Sequence, residues 1–128
     1  MRKFFVILLC ALLLIPCAKA EEGEKYVALT FDDGPSQYTT GILDVLEKYE
    51  SRATFFEVGN RVNEYSDIVL RVSQLGCEIG NHSYDHASLG NASASKIRSE
   101  ISETDAKIKA IIGKKPVLLR PPYGSTGS

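Results

Sequence analysis

The sequence predicts an α/β fold in which parallel strands alternate with helices. Apolar runs of strand length, helical periodicity between them, and short links containing glycine or proline support this prediction. A β-α-β order of this kind is typical of a parallel sheet with right-handed crossovers. The sheet can be open or part of a β/α barrel, and in both cases ligands bind at the carboxyl ends of the strands.

The first half of the chain predicts two strands and two helices. Residues 26–31 form a near-continuous apolar run, which is typical of a strand buried on both faces. Apolar residues recur at helical spacing over 42–49 and predict a first helix there. Residues 53–58 are rich in aromatic and β-branched residues and predict a second strand. The apolar residues over 62–75 predict a second helix, and Gly76 provides a signal for its end.

The second half continues the alternation. A short third strand is predicted over 77–80. Residues 93–112 predict a long helix, with isoleucines on one side and mixed charges on the other. A fourth strand is predicted over 117–119.

The first 20 residues differ from the rest of the chain. Two basic residues precede an apolar run over 4–15, and Ala18-Lys19-Ala20 has the small-x-small pattern of a signal peptidase site. The run is shorter than the roughly 20 residues that a bilayer span requires. We therefore expect 1–20 to be a cleaved signal peptide and 21–128 to be secreted or held in the cell wall, with no stable membrane insertion.

Composition and cysteine content narrow the possible partners. The chain has 128 residues, 44% of them hydrophobic, with 15 basic and 16 acidic residues. It therefore has no excess of positive charge, and we expect no nucleic-acid partner. Outside the predicted signal peptide only Cys77 remains, so we expect no internal disulfide. Cys17 could suggest a lipid-modified cysteine instead of a cleaved signal, but Pro16 before it fits that alternative poorly.

Ionisable residues follow three of the predicted strands. Asp32 and Asp33 follow the first strand, His82 and His86 the third, and Arg120 the fourth. Because these strand ends lie on one side of a parallel sheet, we expect the five side chains to lie close together.

Asp33 and the histidine pair predict a metal site. Two imidazoles four residues apart in a helical turn lie on one side and can reach one ion. Two histidines and a carboxylate form a three-ligand set with open positions, as catalytic metal sites require. Taken alone, Asp33-Gly34 could be a turn that caps the next helix, and His82 and His86 could be surface residues. Their joint occurrence favours the metal site.

The two adjacent carboxylates require a change in backbone direction. Neighbouring residues on a strand point to opposite faces, so Asp32 and Asp33 can serve one site only where the chain turns. We expect Gly34-Pro35 to supply that turn.

The segment after the fourth predicted strand adds a cation and an aromatic ring. Arg120 would point to the same region, the prolines after it stiffen the loop, and Tyr123 would offer a wall suited to a sugar ring. The simpler alternative is a stiff exit loop with a surface arginine.

Three segments resemble the first three motifs of the polysaccharide deacetylase family, the NodB-like carbohydrate esterases that include chitin and peptidoglycan deacetylases. The segments are TFDDGP at 30–35, HSYDH at 82–86 and RPPY at 120–123, in the family's order. The resemblance covers 26–124 and implies a distorted (β/α) barrel of NodB type. It also implies a hydrolase that removes N-acetyl groups from N-acetylglucosamine in a cell-surface polysaccharide, with peptidoglycan favoured by the bacterial-looking signal. Xylan and other O-acetylated glycans remain alternatives.

The resemblance assigns catalytic and metal-binding roles to matching residues. Asp32 would be the general base, with Arg120 paired to it. Asp33, His82 and His86 would hold a divalent metal, which is usually zinc in this family and sometimes cobalt or another ion.

The resemblance also assigns supporting roles. Ser83 would hold the histidine loop in place by hydrogen bonding. Tyr123 would donate its backbone N–H to the developing oxyanion, and Pro122 would help shape the wall of the groove.

Two later motifs of the family are absent from the sequence. One contains an aspartate and a tryptophan, and the other is a Leu-x-His that supplies a general acid; the chain has no tryptophan and no histidine after His86. We therefore expect 21–128 to be the N-terminal part of a NodB-like domain, without an acid worth about 10²–10⁴-fold in rate. The alternative is a non-catalytic glycan- or metal-binding fragment, which would need neither Asp32 nor Arg120.

Overall fold

Three parallel strands form the sheet at the centre of the fold. The computed structural model describes residues 25–126, so the predicted signal peptide at 1–20 lies outside the described residues. The strands are β1 (Thr30–Gly34), β2 (Thr54–Glu57) and β3 (Glu78–Asn81), in the order β1-β2-β3. The predicted α/β class with parallel strands is confirmed.

Three helices connect and cover these strands: α1 (Thr39–Lys48), α2 (Ser66–Gln74) and α3 (Ala94–Ile112). Helix α3 begins after Ser93, whose hydroxyl accepts a hydrogen bond from a backbone N–H of the first turn, and it ends at Gly113 with φ 78°. Helix α2 begins later than predicted, because a short 3₁₀ turn precedes it. Within residues 25–126, none of the helices has the length and apolar character to cross a bilayer.

The core lies between the sheet and the helices. Phe31 of β1 stacks on Phe55 of β2, with ring centroids 5.2 Å apart. The free Cys77 is buried in the same cluster. The fully buried aliphatic members come from α1, α2, α3 and the segment before α2: Leu43, Val62, Val69, Val72 and Ile108. Burial of this apolar surface is the main stabilising contribution in a domain without disulfides.

The prediction of a fully buried strand from Tyr26 is wrong. Tyr26 and Val27 are each 85% exposed, and β1 begins only at Thr30. Pairing with β2 starts where the Thr54 N–H donates to the Leu29 carbonyl. Among residues 25–126, β1 has a neighbouring strand on one side only, so this part of the sheet does not enclose a strand on both sides.

The predicted fourth strand at 117–119 is reduced to a single bridge. Leu119 pairs in parallel with Asn81, the last residue of β3. The Asn81 N–H donates to the Leu118 carbonyl over 2.8 Å, and the Arg120 N–H donates to the Asn81 carbonyl over 3.0 Å. Since β3 ends at Asn81, it offers this segment no further partner, but the bridge still fixes Arg120 beside the end of β3.

Candidate functional site

A cleft of about 510 Å³ opens where β1 and β3 end. Its lining brings together residues from three segments that are distant in the sequence. They are Asp32, Asp33, His82, His86, Arg120, Pro121, Tyr123 and Gly124. The cleft therefore lies at the carboxyl ends of the strands, as expected for a parallel sheet. All five ionisable residues that the sequence analysis selected line it.

Both aspartates reach the cleft because the backbone changes direction at Asp33 itself. Asp33 has φ 63°, and the pairing of β1 with β2 shifts register between Phe31 and Gly34. This irregularity turns two successive side chains toward one side of the sheet. The Arg61 guanidinium donates to the Asp33 carbonyl over 2.6 Å and holds the turn. The expectation that Gly34-Pro35 supplies the turn placed it one residue too late.

The histidine pair lies on a loop and not on a helical turn. Ser83 and His86 both have left-handed backbone conformations, with φ 64° and φ 60°. These two residues curl the loop so that the rings of His82 and His86 meet edge to face, with centroids 5.1 Å apart. The predicted helical turn is therefore wrong, although the two rings do face one another.

The three predicted ligands converge on one point. Oδ1 of Asp33 lies 3.3 Å from Nε2 of His82 and 3.0 Å from Nε2 of His86, and all three ligand atoms lie within 4.8 Å of one another. Two ligands of a tetrahedral zinc ion, each about 2.1 Å from the metal, lie roughly 3.4 Å apart. The donor types and their spacing therefore fit a divalent cation such as zinc.

Hydrogen bonds orient both imidazoles for this purpose. Nδ1 of His82 lies 2.6 Å from the carbonyl oxygen of Arg120. A carbonyl can only accept, so Nδ1 carries a proton and Nε2 is the ring atom that faces Asp33. Nδ1 of His86 lies 3.1 Å from the Tyr123 hydroxyl. Contacts of this kind fix the tautomer and the ring orientation of metal-binding histidines.

Asp32 and Arg120 form an ion pair beside the histidines. Nη1 of Arg120 donates to Oδ1 of Asp32 over 2.6 Å and to the Thr30 hydroxyl over 3.1 Å. The guanidinium also lies over the Phe56 ring, 4.0 Å from its centroid. Phe56 fits because Gly80 has no side chain, since a Cβ there would lie 2.4 Å from the ring.

Phe56 was not recognised as part of the site from the sequence. An aromatic residue in a predicted strand is most simply a core residue, and the strand pattern does not reveal that Arg120 stacks on its face. The two meet because Phe56 pairs with Gly80 of β3, and the bridge between Leu119 and Asn81 places Arg120 beside the end of that strand.

Ser83 holds the histidine loop through its backbone and not through its hydroxyl. The Ser83 N–H donates to Oδ1 of Asn81, and the Ser83 carbonyl accepts from Gly59 N, each over 2.9 Å. The buried hydroxyl has no hydrogen-bond partner among residues 25–126. The expected hydrogen bonding therefore exists, but the Ser83 side chain does not provide it.

The wall of the cleft also differs from expectation. Pro122 is fully buried and does not line the cleft, whereas Pro121 does. Tyr123 has φ 59° and is 77% exposed, so its ring stands at the rim beside His86. Pro121 therefore shapes the wall of the cleft, whereas Pro122 packs inside the protein.

Glu57, at the end of β2, is a second residue that the sequence did not single out. Its side chain is fully buried, and neither carboxyl oxygen has a hydrogen-bond partner among residues 25–126. Burial raises the pKa of Glu57 to about 8. One carboxyl oxygen occupies the space where a Cβ on Gly34 would lie, 2.5 Å away, so Glu57 packs directly under the turn that carries Asp33.

The sequence matches the polysaccharide deacetylase family over residues 19–128. It is 45% identical over 105 residues to the peptidoglycan-N-acetylmuramic acid deacetylase PdaC of Bacillus subtilis, a match that covers 81% of this chain and 22% of PdaC. It is 40% identical over 110 residues to a peptidoglycan-N-acetylglucosamine deacetylase of Bacillus cereus, covering 85% of this chain and 38% of that protein.

Solved structures show the same fold. The structure of PdaC from Bacillus subtilis superposes with a TM-score of 0.78 at 44% identity, over 80% of this chain and 52% of that one. A family 4 acetyl xylan esterase from Clostridium thermocellum, solved with a cobalt ion, gives a TM-score of 0.77 at 44% identity, over 80% of this chain and 51% of that one. The chain thus spans about half the length of these structures, and its fold is the NodB type.

Proposed function

Because the chain belongs to the polysaccharide deacetylase family, we propose that it is a metal-dependent hydrolase that removes N-acetyl groups from N-acetylglucosamine in a cell-surface polysaccharide. The observation that carries this proposal is the convergence of Asp33, His82 and His86 within 4.8 Å, next to the ion pair of Asp32 and Arg120. Peptidoglycan is the substrate we favour, because several similar proteins are peptidoglycan deacetylases.

We propose zinc as the metal held by Asp33, His82 and His86, with cobalt as the alternative. Two neutral imidazoles and one carboxylate suit zinc, and they leave coordination positions open for water and substrate. A divalent ion bound there supplies Lewis acidity, which lowers the pKa of water and polarises an acetyl carbonyl.

Asp32 is the base in this proposal. Its carboxylate lines the same cleft as the three ligands, so it can take the proton of a water molecule that attacks the acetyl carbon. Arg120 fixes the direction of that carboxylate through the 2.6 Å contact. Stacking on Phe56 in turn limits the movement of Arg120.

Tyr123 completes the arrangement at the rim of the cleft. Tyr123 lines the cleft beside Pro121, and in this proposal its backbone N–H stabilises the oxyanion that develops on the acetyl group. The exposed ring, 4.8 Å from the His86 ring, provides an apolar face for a sugar.

The cell surface is the place of action that we propose. Peptidoglycan lies outside the cytoplasmic membrane, and the pattern of residues 1–20 is typical of a cleaved signal peptide. Mass spectrometry of the protein recovered from the cell surface would test this, because cleavage after Ala20 gives a chain that begins at Glu21.

Acetate release from N-acetylated chito-oligosaccharide and from peptidoglycan fragments tests the proposed activity. We expect Asp32→Asn to lose about 10²–10⁴-fold in rate while it retains zinc. We expect His82→Ala to lose both zinc and activity. Asp67→Asn is the matched control, because Asp67 is an exposed carboxylate at the start of α2, outside the cleft.

Two outcomes would count against the proposal. Undiminished acetate release by both Asp32→Asn and His82→Ala would contradict the assignment of the site. Zinc binding by the wild-type protein with no acetate release above the His82→Ala background would favour the non-catalytic glycan- or metal-binding alternative.

A further inference from the structure

Helix α3 contacts the histidine loop through a buried carboxylate. Glu100 is only 1% exposed, and its Oε2 accepts hydrogen bonds from the backbone N–H groups of Tyr84, over 2.7 Å, and Asp85, over 3.0 Å. These two residues lie between His82 and His86. Glu100 thus holds the middle of the segment whose two ends carry the imidazoles.

The charge of Glu100 is retained despite its burial. Burial raises the pKa of Glu100, but hydrogen bonds from Lys96 and from the backbone of Asp85 and Tyr84 outweigh this effect, so the pKa lies below its usual range. Nζ of Lys96 lies 2.6 Å from the second carboxyl oxygen and 3.2 Å from Asp85. The acceptor is therefore anionic, and hydrogen bonds to ionised acceptors are about twice as strong as neutral ones.

A second contact fixes the start of the loop to the same helix. Asn81 accepts from the Ser83 N–H over 2.9 Å and donates to the carbonyl of Ile101 and the carboxylate of Asp105, over 2.9 and 2.8 Å. On the opposite side, the 3₁₀ turn Gly59–Arg61 donates backbone hydrogen bonds to carbonyls of the loop. The loop is thus held from both sides by groups outside it.

The loop requires such support because of its own backbone. Ser83 and His86 have positive φ, a conformation that is strained at a non-glycine residue and persists only where the surroundings impose it. The N–H groups of Tyr84 and Asp85, which donate hydrogen bonds to Glu100, lie between Ser83 and His86. Without the Glu100 carboxylate as acceptor, the loop can relax to a conformation with lower backbone energy.

We propose that Glu100 is a positioning residue for the metal site. It does not touch the metal position, but it fixes the loop in the one conformation in which Nε2 of His82 and Nε2 of His86 face the same cation. This inference rests on the proposed metal site, and it adds a residue that acts through the loop.

Zinc affinity tests the proposal, measured on the purified protein by competition with a chromophoric chelator, together with the visible spectrum of the cobalt-loaded form. We expect Glu100→Ala to bind zinc about 10–100-fold more weakly, the effect typical of residues that orient metal ligands. Glu100→Gln keeps an acceptor but not the charge, so we expect a loss of about threefold to tenfold. Glu103→Ala is the control: Glu103 is exposed on the same helix, contacts Ser99, and should leave affinity unchanged.

Each result supports or overturns the inference. Wild-type affinity in folded Glu100→Ala, or an equal loss in Glu103→Ala, would overturn it. If Glu100→Ala does not fold, Glu100→Gln decides the question: a weaker affinity with a shifted cobalt spectrum supports positioning, and unchanged values overturn it. If the wild-type protein does not bind zinc, the proposed metal site itself fails, which is a different result from loss of the Glu100 effect.

Discussion

The buried carboxyl group of Glu57 predicts a pH dependence of stability. The folded protein holds the proton up to about pH 8, whereas the unfolded chain releases it near its usual pKa of 4.5. The contribution is therefore fully present below pH 4.5 and is lost as the pH rises toward 8. The free energy of unfolding falls by about 1.4 kcal/mol per pH unit in this window, or roughly 4 kcal/mol between pH 5 and pH 8.

Urea unfolding at pH 5, 6, 7 and 8 with a chelator present measures this effect. We expect Glu57→Gln to remove the slope that the wild-type protein shows, because glutamine does not titrate. A constant offset between the two proteins would reflect the buried amide and does not bear on the argument. Glu50→Gln, at an exposed position, should keep the wild-type slope. Parallel pH profiles of the wild-type protein and Glu57→Gln would show that the Glu57 carboxyl group is not the source of the pH dependence.

Two further substitutions test the contacts that orient the site. Gly80→Ala places a methyl group 2.4 Å from the Phe56 ring, so we expect a loss of about 1–3 kcal/mol in urea unfolding and slower acetate release as Arg120 is displaced. Tyr123→Phe removes the hydroxyl next to Nδ1 of His86, and we expect about tenfold weaker zinc binding by chelator competition, the low end for such contacts, because water can reach this exposed rim.

Gly41→Ala is the matched comparison for Gly80→Ala. Gly41→Ala meets no atom within 4 Å and lies inside α1, so it should be neutral or stabilise the protein by up to about 1 kcal/mol. If Gly80→Ala behaves like Gly41→Ala, the stacking of Arg120 on Phe56 is not restricted as described. If Tyr123→Phe keeps wild-type zinc affinity, the hydroxyl does not orient His86.

Signals confined to short windows of sequence predicted much of the fold. Helix α3 is the best case, because its cap at Ser93, its apolar stripe and its end at Gly113 are all local features. The run at 26–31 shows the limit of this approach. Apolar residues show that a segment can be buried, but burial depends on a neighbouring strand that local sequence does not specify.

The site was predicted better in position than in conformation. Parallel strands deliver their ends to one edge, so the convergence of Asp33, His82 and His86 followed from the order of the elements. The turn at Asp33 and the curl at Ser83 were not foreseen. Left-handed backbone favours glycine, and although aspartate adopts it more often than most residues, the sequence around Asp33 and Ser83 does not specify it.

Glu57 and Glu100 were missed for a related reason. A glutamate on an amphipathic helix is most simply placed in solvent, and one at a strand end is most simply a surface residue. Glu100 is buried because a loop that precedes the helix in the sequence folds over it and supplies N–H donors. Tyr84 and Glu100 are 16 positions apart in the chain, so the residue pattern of the helix alone does not predict this contact.

Four side chains of the cleft and its loop, those of Asp33, Ser83, His86 and Tyr123, stand on backbone that L-amino acids avoid. An engineer who wished to transplant this candidate site to another scaffold could not do so by copying side chains alone. The backbone of the recipient scaffold would need left-handed conformations at four matching positions. Each of these positions costs roughly 1–2 kcal/mol of conformational energy. The hydrogen bonds around these positions would have to be transferred as well, because they stabilise this backbone conformation.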